Sequence, residues 1–255
     1  MSAPTVRTSP RSAALDRPSA RRLAAAEYDR FLDLLRTLEP DDWARPTDCP
    51  GWDVRAVAGH VLGMAEMVAS TGAFVRQNAA AQRAGGGIDT LTAHQVRTRA
   101  GLRPEELVDR FAAVTSRAAR GRGRLAGVLG RLPMPEKQVV GERSESWRFG
   151  FLFDVVLTRD TWMHRVDIGR ATGRDVVLTP EHDGRLVADV VAEWAVRHGR
   201  PYRLHLTGPA GGTWSVGTWS VGTDGPDLEL DAVEFCRVLS GRAVGTGLLA
   251  TQVPF

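Results

Sequence analysis

Asp160, His164 and Asp167 lie within one apolar-periodic stretch, Phe149 to Gly173, FGFLFDVVLTRDTWMHRVDIGRATG. The run holds no proline and ends on glycine, so it reads as a single helix with a glycine stop. Spacings of i, i+4 and i+7 put the three side chains on one face. Phe153, Val156, Leu157, Met163 and Ile168 flank them, so part of that face turns inward. A carboxylate and an imidazole one turn apart make a two-point clamp for a metal ion. The same spacing suits a surface ion pair worth about a few tenths of a kcal/mol. Spacing alone does not separate the two.

A second concentration of chemistry is DDWARPTDCPGWDVRAVAGHVLGM, Asp41 to Met64. Pro46, Pro50 and Gly51 hold an irregular loop, and Asp53 suits the N-cap of a helix beginning at Val54. His60 follows two turns later among Val57, Val61 and Leu62, and taken alone it reads as a core histidine. Arg117, Arg120, Arg122 and Arg124 form a basic cluster that could hold an anion but reads first as a solvated face. Asp167 could set the tautomer of His164, or pair with Arg165 or Arg170 at the surface.

The elements that must position these residues follow from periodicity. Ala24, Tyr28, Phe31, Leu35 and Leu38 mark a helix from about 20 to 38. Further helices are expected from 54 to about 78, from 90 to 100, and from Pro104 to about 132, where Gly121 and Gly123 could fray the last. AAAQRAGGGID reads as a flexible break, and Pro133 to Trp147 as loop. After Gly173 the pattern becomes mixed: a helix from about 181 to 198, an alternating strand at YRLHLTG, then TWSVG twice in succession, a strand at Leu228 and Leu230, and a helix from 232 to 239. The duplication is too short for a repeat architecture. Trp214 and Trp219 could line a pocket, although aromatic strand residues more often make core contacts.

At 255 residues the chain can hold one large domain or two modest ones. No apolar run is long enough to span a membrane. The net charge of +3 comes from arginine, Lys137 being the one lysine. Acidic residues are interleaved throughout, which argues against a nucleic-acid surface. Cys49 and Cys236 form no metal-finger spacing, and a reducing cytoplasm is the expected location. Residues 1–18 lack the apolar core of a secretory signal and read as a disordered tail.

PTDCPGWDVRAVAGH, followed about a hundred residues later by TRDTWMHRVDIGRATG, resembles the mycothiol-dependent maleylpyruvate isomerase family. The closing VLSGRAVGTGLLATQVPF resembles the end of many members. The resemblance implies an α-helical DinB-like four-helix bundle over 19–174, followed by a small α+β domain over 175–255. It implies metal ligands at His60, Asp160 and His164, where Asp160 stands in place of the family's usual Glu and is one methylene shorter. It further implies a catalytic arginine from the second domain, here Arg242 with Arg237 behind it. Cys49 matches the motif without being a ligand, which leaves it a role in packing the loop.

Two imidazoles and one carboxylate suit a divalent metal, Zn²⁺ first, with Fe²⁺, Ni²⁺ and Mn²⁺ also compatible. The implied function is a mycothiol-dependent isomerase or S-transferase acting on a small electrophilic molecule. The partners are that substrate and the thiol, with neither nucleic acid nor membrane. Two other readings stand beside it: a metal-containing protein that binds a small apolar ligand without catalysis, and a metal-dependent hydrolase with Asp167 or Glu145 as base.

Overall fold

The computed structural model describes residues 11, 15–216 and 225–255. The second TWSVG copy, with Trp219, lies outside the described residues, as does most of the expected N-terminal tail. The fold is mostly helical with a small sheet, and its contacts group the chain into two compact units. One unit takes the chain up to Leu32 together with Arg55–Thr158, and the other takes Asp33–Val54 together with Arg159–Phe255.

The first unit contains most of α1 (Arg17–Arg36), then α2 (Val54–Ala69), α3 (Thr71–Arg83), α4 (Gly87–Arg99) and α5 (Pro104–Leu129). The helix expected to run from 54 to about 78 is two helices. Ser70 adopts an extended backbone and its hydroxyl accepts from the Ala73 amide at 3.4 Å, starting α3 as an N-cap. The expected break at AAAQRAGGGID is confined to residues 84–86, because α3 continues to Arg83 and α4 begins at Gly87. Tyr28 and Phe31 of α1 meet Phe111 of α5, with ring centroids 6.0 and 5.3 Å apart.

Gly121 and Gly123 do not fray α5. Both are buried, and a Cβ on Gly121 would sit 1.9 Å from the Val68 carbonyl oxygen, so glycine is what lets α5 pack against the end of α2. Arg117, Arg120 and Arg124 are exposed as a solvated face requires, but Arg122 is buried. It donates to the Phe153 carbonyl and to the Thr158 hydroxyl, and lies 5.7 Å from the Tyr28 ring centre.

The stretch expected to be loop between 133 and 147 contains a short antiparallel hairpin, β1 (Gln138–Val140) with β2 (Arg143–Glu145), turning at Gly141 with φ of 58°. Val140 and Trp147 pack with Phe151, Val155 and Val156 beneath it. Arg11 joins the edge of this region, its amide donating to Ser146 and its carbonyl accepting from Arg148, both at 2.8 Å. The long helix expected from 149 is present but not uniform. It opens as α6 (Phe149–Phe151), passes through a π segment at Leu152–Val156 and continues as α7 (Leu157–Thr172).

The second unit is built on α7. Of its residues from Arg159 on, only Arg170 is exposed. Arg159 bonds Asp189 at 2.6 Å and Glu193 at 2.7 Å on α8 (Asp183–His198), while Arg165 bonds Asp183 at 2.6 Å. Trp162 donates to the same Asp183 at 2.8 Å. Unpaired charge on a buried helix would be prohibitive, and these pairs remove that cost. Strands β3 (Tyr202–Thr207), β4 (Gly212–Val216) and β5 (Asp227–Asp231) follow in the order β4-β3-β5, antiparallel then parallel. Tyr202, Leu204 and Leu206 are buried on alternate positions as the sequence alternation requires, and α9 (Ala232–Leu239) follows, N-capped by Asp231.

Candidate metal centre

In the second unit the structure brings together Asp160, His164, Asp167, Arg242 and Cys49. His164 Nδ1 lies 3.0 Å from Asp167 Oδ2, and its Nε2 lies 3.4 Å from Asp160 Oδ1. Asp167 is fully buried and receives two further bonds from Arg242, Nε to Oδ1 and Nη2 to Oδ2, both 2.7 Å. Of the two roles open to Asp167, the structure selects the inward one. Arg165 is committed to Asp183, and Arg170 bonds Asp48 at 3.1 Å instead.

Burial pushes the Asp167 carboxyl upward, but hydrogen bonds from His164 and Arg242 outweigh it and hold the group at about 2. An ionised carboxylate only accepts, so the hydrogen on Nδ1 of His164 points at Asp167. In the neutral imidazole the lone pair is then on Nε2, the nitrogen that faces Asp160. Burial opposes charge on His164, yet the Asp160 carboxylate and bonds to Asp160, Asp167 and Cys49 raise its pKa well above the ordinary value. The second oxygen of Asp160, Oδ2, is shielded from solvent and accepts no hydrogen bond among the described residues.

A short closed loop supplies Cys49 and Asp48. Thr47 and Trp52 close it by Thr47 N to Trp52 O and Trp52 N to Cys49 O, each 3.0 Å, with Gly51 at φ of 78°. Cys49 Sγ donates to Asp167 Oδ2 at 3.3 Å and lies 3.8 Å from His164 Nδ1. The expected packing role therefore extends to a polar contact with the group that holds His164. Arg237, the second candidate arginine, is buried and bonds Asp48 at 2.7 Å and Glu234 at 3.1 Å. The Trp52 ring lies 6.1 Å from that of His164, tilted 31°.

His60 belongs to the first unit, buried on α2. Its Nδ1 lies 3.0 Å from Gln95 Oε1, Gln95 Nε2 donates to Gln77 Oε1 at 2.9 Å, and Gln77 Nε2 donates to the Gly63 carbonyl at 3.0 Å. This relay fixes every orientation in turn. A carbonyl only accepts, so Gln77 donates to it, Gln95 donates to Gln77, and Nδ1–H of His60 donates to Gln95. The lone pair of neutral His60 is again on Nε2. Neither glutamine stood out in the sequence, because a polar residue on a helix is ordinarily solvated; Gly63 is the one faint signal. A Cβ there would meet the Gln95 side chain at 2.7 Å, so glycine admits the relay.

Within the second unit, His164 Nε2 beside the Asp160 carboxylate is a donor pair of the kind a divalent cation takes. The family model for the mycothiol maleylpyruvate isomerase N-terminal domain matches residues 24–169, more than half of the chain. The chain belongs to this family. The mycothiol maleylpyruvate isomerase N-terminal match contains His60, Asp160 and His164, and Arg242 lies beyond it. Two solved structures with similar folds are the crystal structure of the mycothiol-dependent maleylpyruvate isomerase, 15% identical, and that of a histidine-to-alanine mutant of it, 14% identical. Each covers 90% of this chain and 90% of the other, with a TM-score of 0.53, which is a likeness of fold. No curated protein matches the chain. Among the described residues, no helix is long and apolar enough to cross a membrane.

Proposed function

We propose that the chain is a metal-dependent enzyme that uses mycothiol as cosubstrate. It would act as an isomerase or S-transferase on a small electrophile, in the manner of maleylpyruvate isomerase. The observation that carries this reading is the state of His164, pinned at Nδ1 by Asp167 with Nε2 turned toward Asp160. His60, Asp160 and His164 are the proposed ligands, with Zn²⁺ the first candidate. Family membership supports the thiol.

A divalent cation at these ligands would hold a bound thiol as thiolate at neutral pH. The protein's own part is to prepare that site. Gln95 and Asp167 set the two tautomers, Asp160 supplies negative charge, and Arg242 fixes Asp167 at two points. Arg242 is thus assigned first as a positioning residue, and contact with substrate is a further proposed role. Addition of thiolate to an activated alkene turns its double bond into a single one. Rotation and expulsion of the thiolate complete an isomerisation, and protonation of the adduct's carbanion with the thiol retained completes a transfer.

The chain's own thiols suit neither task. Burial raises the pKa of Cys236, and Cys49 is engaged with Asp167. Both are unbridged, which suits a reducing cytoplasm. A hydrolase would need a general base, yet Asp167 is held at about 2 and Glu145 is engaged by Trp147 and Arg11. The DinB-like four-helix bundle of 19–174 and the α+β domain of 175–255 belong to the same proposal.

The test is metal analysis of the purified chain followed by turnover of activated alkenes with and without mycothiol. Metal near one equivalent and strictly thiol-dependent turnover are expected. A metal-replete protein equally active without thiol would overturn the reading.

A further inference from the structure

The first unit contains a cavity of about 430 Å³, none of whose lining residues belongs to the candidate metal centre. Its size is that of a small-molecule site. Arg17, Arg131 and Arg148 line it, together with Asp154 of the π segment. Leu15 adds one apolar side chain, and Gly130 and Gly150 complete the wall with bare backbone. A Cβ on Gly150 would lie 2.9 Å from the Gly130 carbonyl oxygen, so side chains at this point would close the approach of the two segments.

Asp154 is the unusual member. It is only 6% exposed, and its carboxylate makes no hydrogen bond or ion pair among the described residues. Burial pushes its pKa up, against the more distant charges of Arg122, Arg17 and Arg21. None of these three donates to it. Arg17 bonds the Ala126 carbonyl at 3.1 Å, Arg21 the Gly123 carbonyl at 3.1 Å, and Arg122 the Phe153 carbonyl. Its oxygens reach the solvent of the cavity, so the carboxylate faces a ligand-sized space with no donor from the described residues. Residues that break local rules in this way, on a π segment facing a cavity, are characteristic of binding sites.

We infer that this cavity binds a small hydroxylated organic anion, its charged group toward Arg17, Arg131 and Arg148 and a hydroxyl donating to Asp154. Guanidinium forks recognise planar or tetrahedral oxyanions, and several around one cavity select charge. An acceptor-only carboxylate selects a donor, and rejects an anion that lacks one because the bound anion would cut the carboxylate off from water without giving it a partner. The site stands or falls independently of the metal centre.

The experiment is calorimetric titration of the full chain at low salt with glycerol 3-phosphate, inorganic phosphate and glycerol. The wild type, Arg131→Ser and Asp154→Val are compared. Glycerol 3-phosphate should bind saturably at one site and about tenfold tighter than phosphate, with glycerol silent. Arg131→Ser, at an exposed position, should weaken both anions by about tenfold. Asp154→Val should remove the preference for glycerol 3-phosphate while leaving the melting temperature unchanged or raised, since no bond within the chain is lost. Absence of saturable binding, wild-type affinity in Arg131→Ser, or a preference that survives in Asp154→Val would each overturn the inference. Should Asp154→Val fail to fold, Asp154 is structural, the hydroxyl-selecting role is overturned, and the Arg131→Ser titration decides the anion site.

Discussion

Arg242 and Asp167 meet in a two-point ion pair, Nε to Oδ1 and Nη2 to Oδ2, each at 2.7 Å, 75 residues apart in the chain. The pair is what holds the carboxylate that in turn holds His164 Nδ1. Three links of one chain, guanidinium to carboxylate to imidazole, therefore connect the C-terminal SGR segment to the proposed ligand. Arg242→Ala leaves Asp167 buried with one partner fewer. It should cost roughly 3 kcal/mol in denaturant unfolding and weaken metal binding by ~10–100-fold. Arg242→Lys keeps the charge but not the fork and should fall between. Wild-type metal affinity in the alanine variant would show that Arg242 does not act through His164.

Stability should depend on acid through Asp167. Its pKa is depressed from 3.8 to about 2, so its contribution is complete above the unfolded value and is lost as pH falls through about 2. The size is roughly 2 kcal/mol. Urea unfolding of metal-free protein between neutral pH and pH 2 should show this loss, and Asp167→Asn should lack it. An identical profile in both proteins would remove Asp167 from the account.

His164 titrates the other way. Its folded pKa is raised above 6.5, so in metal-free protein it adds stability that is full below the unfolded value and is lost as pH rises through the folded one. A metal needs the neutral imidazole, so metal uptake at neutral pH should release a proton and tighten as pH rises. Calorimetry in buffers of different ionisation enthalpy reads that proton directly. Uptake without proton release would mean that His164 is not a ligand.

Asp160 carries the departure from the family's usual glutamate. If it is a ligand, Asp160→Ala should weaken metal binding by more than the ~10–100-fold typical of a neighbouring partner. Asp160→Glu tests reach: it binds at least as well if the ligands have the family's spacing, and less well if they have drawn in to suit the shorter side chain. Equal affinity in all three proteins would take the carboxylate out of the site.

A chain ending at Arg174 would keep every proposed metal ligand but lose Asp183, Asp189 and Glu193. Arg159 and Arg165 would then be left on α7 without their carboxylates. Each such loss costs about 3–5 kcal/mol, against a total stability of about 5–15 kcal/mol. The truncated chain should therefore show helix by circular dichroism without a cooperative melt. A sharp wild-type transition would prove α7 independent of α8.

The sequence by itself determined most of the helical stretches, though not the break at Ser70 or the π segment, and it determined the strand alternation at Tyr202 to Leu206, the stop at Gly173 and the shared face of Asp160, His164 and Asp167. These rest on periods of 3.6 and 2, which are local properties of the backbone. It could not determine that Asp167 turns to His164 while Arg165 and Arg170 turn to Asp183 and Asp48. On one helix those partners are equally near, and only the approach of α8, of the loop at Cys49 and of Arg242 from the far end of the chain decides between them. Tertiary structure likewise decided the roles of Gln77 and Gln95, two polar helix residues that became a tautomer-setting relay by being buried together. It also decided that Gly121 marks close packing rather than fraying, because a missing Cβ has meaning only when a second backbone arrives to use the space.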